Sequence, residues 1–146
     1  MQNPAVDIRL EIRSTIDIVT ARQQGREIAM EMGFPASEIT LIAAAISEIA
    51  RNILDHAKKG EVIFTVTHKG ADRCLQVVAQ DEGPGIPDVA RAMQYGYSSR
   101  GGLGVGLPGA KWLMDDFEIE SVIGKGTRIT MRKWLKNGPR KPVTPR

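Results

Sequence analysis

The chain has 146 residues, of which 42% are hydrophobic and 25% charged, the composition of one soluble globular domain. No apolar run approaches the roughly 20 residues of a membrane-spanning helix, and the single cysteine, Cys74, excludes an internal disulfide. The net charge of +3 is carried by residues 137–146, so residues 1–136 are neutral and no basic excess favours nucleic acid. We therefore expect a cytoplasmic protein without membrane or nucleic-acid partners. It would have one domain at 1–136 and a basic, proline-containing, disordered tail at 137–146.

Hydrophobic periodicity divides the chain into strands and helices whose order indicates the fold. Alternation of apolar and polar residues predicts strands, whereas apolar residues spaced three and four apart predict helices. The predicted strands are 6–13, 61–68, 74–80, 117–122 and 127–134. The predicted helices are 17–32, 38–58, 89–95 and 104–114. This order predicts a two-layer α+β sandwich in which helices cover one face of a largely antiparallel sheet.

Cap and turn residues mark where the first two helices should begin and end. Ser14 or Thr15 would cap the first helix, and Gly33 would end it. Ser37 would cap the second helix, and Gly60 would end it.

The second helix carries the most informative pattern of the sequence. Glu48, Asn52 and His56 are spaced four residues apart and therefore lie in one row on the helix, flanked by Ile, Ala and Leu. Burying three such polar groups without partners would cost on the order of several kcal/mol. A hydrated magnesium ion carrying a nucleotide would satisfy them.

Each residue of this row has a role near a nucleotide and a structural alternative. Asn52 would give magnesium one neutral oxygen, or it would bond a neighbouring backbone group. Glu48 would orient a hydroxyl and accept its proton, or it would pair with Arg51 or Asn52 at the surface. His56 would donate to a phosphate oxygen, or it would be a half-buried structural histidine.

A glycine-rich segment after the third strand suggests the base-binding part of the site. The Asp81 carboxylate would accept a hydrogen bond from the exocyclic amine of adenine, or it would cap the following turn. Gly83 and Gly85 would let the backbone lie close to the base and sugar. Ile86 would pack on the base, and Thr127 would reach adenine through water or serve simply as a good strand former.

A second glycine-rich segment leads into the helix predicted at 104–114. Its free backbone amides and the positive end of that helix suit a triphosphate. The preceding loop would clamp the phosphates through hydroxyls and a guanidinium, or it would be an ordinary mobile loop. P-loop, protein-kinase and Rossmann fingerprints are not found. The predicted phosphate-binding residues are Ser98, Ser99, Arg100, Gly102, Leu103, Gly104, Val105 and Gly106.

The order and spacing of these motifs resemble the GHKL superfamily, whose members include gyrase, MutL and the histidine kinases. The resemblance covers about residues 6–135 and implies an ATP-binding Bergerat fold. It also implies that Asn52 binds magnesium, that Asp81 binds adenine and that Glu48 is the catalytic base.

A narrower resemblance points to the small switch serine/threonine kinases of bacterial stress signalling. It rests on Ser-Glu-Ile-Ala-Arg-Asn at 47–52, Asp-Glu-Gly-Pro-Gly-Ile-Pro-Asp at 81–88 and Gly-Leu-Gly-Val-Gly-Leu-Pro-Gly at 102–109. The resemblance implies an ATP- and Mg²⁺-dependent kinase that phosphorylates a STAS-domain partner in a stressosome scaffold. Once released, it would bind and activate a PP2C-type phosphatase or another output protein. An anti-sigma factor kinase and a non-catalytic, ATP-gated adaptor are the alternatives.

Overall fold

The computed structural model describes residues 7–93 and 106–136, which form two layers. The strands are β1 (Asp7–Ile12), β2 (Gly60–Lys69), β3 (Asp72–Asp81), β4 (Asp116–Val122) and β5 (Gly126–Leu135). The helices are α1 (Thr15–Met32), α2 (Ala36–His56), α3 (Val89–Ala92) and α4 (Gly106–Leu113). The strands form one antiparallel sheet in the order β1-β2-β3-β5-β4. The predicted α+β sandwich is therefore confirmed, whereas the predicted tail lies outside the described residues.

The central helix α2 is buried on two sides because it packs against α1 and α4 as well as the sheet. Its predicted sheet-facing stripe, which includes Ile42 and Ile46, is buried, and so are Ile49 and Asn52 on the second face. Burial of each isoleucine side chain stabilises the folded state by about 1.5–3 kcal/mol relative to leaving it exposed. Close packing with α1 requires Gly25, where a Cβ atom would overlap the side chain of Ile46.

The first helix ends at Met32 as the sequence predicts and has Ser14 at its N-cap position, but it begins at Thr15, two residues before the predicted start. The Asp17 carboxylate accepts hydrogen bonds from the backbone amides of Arg13 (2.8 Å) and Ser14 (3.1 Å), which satisfies two donors at the start of α1. Gly33 ends α1 with a left-handed φ of 100°.

The predicted ends of α2 are wrong at both termini. The helix begins at Ala36, because the carbonyl of Pro35 already accepts the amides of Glu38 and Ile39, so Ser37 lies in the first turn and is not the cap. It ends at His56, and Lys58, with φ of 70°, makes the left-handed turn that follows.

The register of the sheet sets the floor of the candidate site. Asp81, the last residue of β3, pairs with Thr127 of β5, which in turn pairs with Ser121 of β4. Directly opposite residues share one face of a sheet, and this row continues the core-facing positions of Ala79 and Ile129. Three polar side chains therefore replace the apolar core where the sheet ends.

No helix of the described ranges is long and apolar enough to span a bilayer.

Candidate functional site

The predicted residues of α2 and β3 meet where the end of α2 approaches the loop after β3. A Cβ atom at Gly83 would lie 2.5 Å from the Cβ atom of Ala57, the residue that follows α2. The backbone after Asp81 is thus pressed against the end of the helix that carries Asn52 and His56. The fold therefore brings the row on α2 and the polar row of the sheet to the same end of the molecule.

Asn52 is the most unusual polar group of this region. The residue is only 6% exposed, and its Nδ2 atom is buried without a hydrogen-bond partner among the described residues. An unsatisfied buried donor costs about 1–3 kcal/mol. A carboxamide keeps its shape when it turns by 180°, so the unpartnered end can present either oxygen or nitrogen. This side chain fits a ligand that supplies its missing partner.

Glu48 is connected to the start of α4. Its Oε1 atom accepts a hydrogen bond of 3.1 Å from the backbone amide of Gly106, the first residue of that helix. A carboxylate is favoured at this position by the partial positive charge of a helix N-terminus. The predicted alternative pairing of Glu48 with Arg51 is not found among the described residues. The predicted catalytic carboxylate and one predicted phosphate-binding amide are therefore direct neighbours.

His56 is the last residue of α2 and is partly buried. Within the described part of the chain, its imidazole makes no hydrogen bond or ion pair, which leaves both ring nitrogens for other partners.

Asp81 is held by the backbone around it. Its Oδ1 atom accepts the amide of Gly83 at 2.9 Å and the amide of Thr127 at 3.3 Å. The first bond is the turn cap that the sequence offered as an alternative. Both bonds use Oδ1, so the predicted contact with adenine would fall to the other oxygen of the carboxylate. Fixing Oδ1 orients the second oxygen.

The glycines of this region are explained by close packing within the protein. A Cβ atom at Gly85, where φ is 82°, would lie 2.7 Å from the carbonyl oxygen of Val122. A Cβ atom at Gly126 would overlap the carbonyl oxygen of Asp81. These backbone contacts alone require glycine at both positions, whether or not a ligand is bound. Close packing is therefore a second reason for these glycines, beside the predicted approach of a base.

One residue that the sequence analysis missed, Ser121, links the parts of the predicted base-binding site. Its Oγ atom accepts the backbone amide of Ile86 at 2.7 Å and lies 3.0 Å from the Oγ1 atom of Thr127. Thr127 is 4% exposed, and Ile86 is buried. Only the period-two alternation of β4 could have placed Ser121 on the core-facing side.

The predicted phosphate-binding residues are placed only in part. Gly106 begins α4, whereas Ser98, Ser99, Arg100, Gly102, Leu103, Gly104 and Val105 lie outside the described residues.

A cavity of about 430 Å³ overlaps the candidate site only in part. Asp81 and Gly83 contribute to its wall, and neither Glu48 nor Asn52 does. Its other lining residues are Glu11, Arg13, Ala57, Lys59, Gly60, Glu61, Gln80 and Glu82.

Comparison with known proteins identifies the family. The histidine kinase-like ATPase domain matches residues 13–133, so the chain belongs to this family. The chain is 46% identical over 127 residues to the serine/threonine-protein kinase RsbT of Bacillus subtilis, covering 87% of this chain and 96% of that protein. It is 36% identical over 118 residues to an anti-sigma F factor of Clostridium acetobutylicum, covering 77% and 82%, respectively. The resemblance to the GHKL superfamily and to its switch kinases is confirmed.

Solved structures agree with this assignment. The RsbU and RsbW domains of Rv1364c from Mycobacterium tuberculosis match with a TM-score of 0.58 and 25% identity. That match covers 90% of this chain and 32% of the solved chain, so the chain corresponds to about a third of that structure. The SiaB–SiaC complex of Pseudomonas aeruginosa matches with a TM-score of 0.50 and 12% identity, over 89% of each chain, which shows the fold alone.

Proposed function

We propose that the chain is an ATP- and magnesium-dependent protein serine/threonine kinase. The family and the 46% identity to RsbT support this activity. The observation that carries the proposal is the unpartnered Asn52 amide, buried one helical turn from the Glu48 carboxylate. A buried amide without a hydrogen-bond partner lowers the stability of the fold unless a ligand satisfies it.

The residues present fit magnesium-bound ATP. Asn52 would hold the metal through its amide oxygen, and Asp81 would accept the exocyclic amine of adenine through the oxygen that the turn leaves available. His56 and the Gly106 amide are donors for the phosphates. Bound magnesium would neutralise phosphate charge and orient the phosphates for in-line transfer.

Glu48 would act as the general base for a hydroxyl that the partner protein presents. Its carboxylate accepts the Gly106 amide, which is also a predicted phosphate-binding group. A phosphate oxygen that accepted this amide instead would free the Glu48 carboxylate to contact the incoming hydroxyl. The hydroxyl oxygen then bonds the γ-phosphorus, the bond to the departing ADP oxygen breaks, and the hydroxyl proton passes to Glu48.

The proposed substrate is a STAS-domain protein of a stressosome scaffold, and the proposed setting is the cytoplasm. After release from that scaffold, the kinase would bind and activate a PP2C-type phosphatase or another output protein. Similarity to RsbT over almost the full length of both chains supports this assignment.

Transfer of labelled γ-phosphate to a purified STAS-domain protein tests the proposal. Glu48→Gln should retain ATP binding in calorimetry and lose about 100-fold or more in transfer rate. Glu38→Gln, in the first turn of the same helix, is the matched control and should transfer phosphate at the wild-type rate. Equal transfer by wild type and Glu48→Gln would overturn the assigned base. Binding of ATP without transfer to any partner would favour the non-catalytic adaptor.

The second candidate is an anti-sigma factor kinase that sequesters a sigma factor. The 36% identity to an anti-sigma F factor favours it specifically. Co-purification discriminates the two candidates, because stable capture of a sigma factor, without a scaffold or phosphatase, would support the anti-sigma candidate.

A further inference from the structure

The sheet of the described residues ends in two edge strands, β1 and β4, whose charge patterns differ. An edge strand offers unpaired backbone amides and carbonyls to any extended chain, and proteins that must stay monomeric protect it with charges, proline or bulges. On the face of β4 away from the helices, the side chains are Asp116, Glu118 and Glu120. Pairing of β4 with its own copy would therefore place acid opposite acid, which is unfavourable.

The edge strand β1 lacks this protection. It contains neither proline nor glycine, and the signs of its charges alternate on the face away from the helices. The charged residues of β1 and its last neighbour are Asp7, Arg9, Glu11 and Arg13. Arg9 pairs with Glu61 and Arg13 pairs with Glu11 within the chain. The side chains of Arg9, Glu11 and Arg13 nevertheless remain 56%, 69% and 67% exposed, so each can take a second partner.

One antiparallel register of β1 against a second copy gives every one of these charges an opposite partner. With the two-fold axis at Leu10, Asp7 lies opposite Arg13 of the second copy. Arg9 lies opposite Glu11 in the same register, and symmetry repeats both pairs. An axis at Arg9 or at Glu11 places like charges opposite each other, and an axis between two residues places charged side chains opposite apolar ones. Larger shifts leave only three residues of this segment paired. Since opposite charges stabilise a strand pair and like charges destabilise it, the pattern selects the Leu10 register.

The same register brings apolar side chains together on the other face of the strand. Ile8 and Leu10 are only partly buried against the core. In this register Leu10 meets its own copy, and Ile8 meets Ile12 of the second copy. The helix on this side of the molecule is α1, because it packs on β1 while α2 lies between it and α4. Its first turn and a half expose Ile16 and Val19, which are 66% and 41% accessible, so further apolar surface lies next to the end of the strand.

We propose that the chain forms a two-fold symmetric dimer through β1, in which the two five-stranded sheets join into one continuous antiparallel sheet. The occupant of this edge is a second copy of the chain, because the charges of β1 complement the same strand in reverse. β4 remains the outer edge of each copy and is kept unpaired by its acids. The dimer goes beyond the proposed kinase activity and does not require ATP.

Sedimentation velocity of the full chain over about 1–200 µM tests the proposal, because an interface of this size gives micromolar affinity. The dimer fraction of wild type should rise across that range. Arg9→Glu places an acid opposite Glu11 and Glu11→Arg places a base opposite Arg9, so each variant alone should weaken the dimer about tenfold or more. In an equimolar mixture the acidic strand faces the basic one, and the dimer should be recovered. Glu120→Arg, the matched charge reversal on β4, should dimerise as wild type does.

Recovery on mixing is specific to strand pairing, because a folding defect in one variant is not repaired by the other. Asp7→Arg mixed with Arg13→Glu gives the same comparison at the other pair of charges, should a variant of the first pair fail to fold. A wild-type chain that stays monomeric at the highest concentration would overturn the inference. Dimers that both single variants leave unchanged, or a mixture that stays monomeric, would overturn it as well.

Discussion

Replacement of Asn52 by leucine separates ligand binding from stability, because the two should change in opposite directions. Asn52 is almost fully buried in α2, and its Nδ2 atom has no partner among the described residues. Leucine has a similar branched shape, carries no polar atom and cannot bind magnesium. Without nucleotide, the variant should therefore be more stable than wild type.

The expected magnitude follows from the unsatisfied amide. Removing an unpartnered buried donor gains about 1–3 kcal/mol, and leucine is a better helix former than asparagine by about a few tenths of a kcal/mol. The slightly larger side chain offsets part of this gain. We expect a net rise of about 1–2 kcal/mol in the free energy of unfolding, or roughly 3–8 °C in Tm.

Thermal unfolding with and without magnesium and ATP measures both effects. ATP at 100 times its Kd should stabilise wild type by about 2.7 kcal/mol and leave Asn52→Leu unchanged, so the order of stability reverses. Gln80→Met is the control, because the Gln80 amide is partnered, donating to Glu61 at 2.6 Å. This control should lose stability and keep the response to ATP. The reasoning is refuted if Asn52→Leu is less stable than wild type without nucleotide, or if ATP stabilises both equally.

Three further predictions concern the frame of the site and two titrating groups. Gly126→Ala should cost more than about 3 kcal/mol in urea unfolding, since its φ is 128° and a Cβ atom would overlap backbone. Gly124→Ala, with φ of 80° and nothing within 4 Å of the new atom, should cost only about 1 kcal/mol; equal losses would contradict the packing explanation. Burial raises the pKa of Cys74 from 9.0 to about 11, so its contribution to stability is complete below pH 9 and is lost as the pH rises towards 11. The stability advantage of wild type over Cys74→Ala should shrink over that range, and a constant difference would argue against it. The backbone amide of Arg13 lowers the pKa of Asp17 below 3.8, so the contribution of Asp17 is present above pH 3.8 and is lost as the pH falls through its folded value. Wild type and Asp17→Ala should converge in acid, and a gap that persists there would contradict this assignment.

The sequence predicts most of the fold because each element carries its own period. Alternating side chains mark the strands, and the apolar stripe of α2 marks the central helix, whose predicted positions are buried. Helix ends are less predictable, because backbone bonds override side-chain preference. Ser37 has the side chain of a cap, yet the carbonyl of Pro35 already receives the first amides.

The candidate site also has a part that the sequence predicts and a part that it does not. The row of Glu48, Asn52 and His56 follows from helical spacing alone. The contact between Asp81 and Thr127, by contrast, depends on the register of β3 and β5, because the two residues lie 46 positions apart in the chain. The period-two alternation of β4 could place Ser121 on the core-facing side, but no motif shows its contacts with Ile86 and Thr127, which depend on the fold.

A crystal structure with magnesium and a non-hydrolysable ATP analogue tests the central claim most directly. We predict adenine against the Asp81 carboxylate and the metal against the Asn52 amide, with the phosphates reaching the first turn of α4. Nucleotide bound elsewhere, or bound at this end of the sheet without contact to Asn52 and Asp81, would contradict the account.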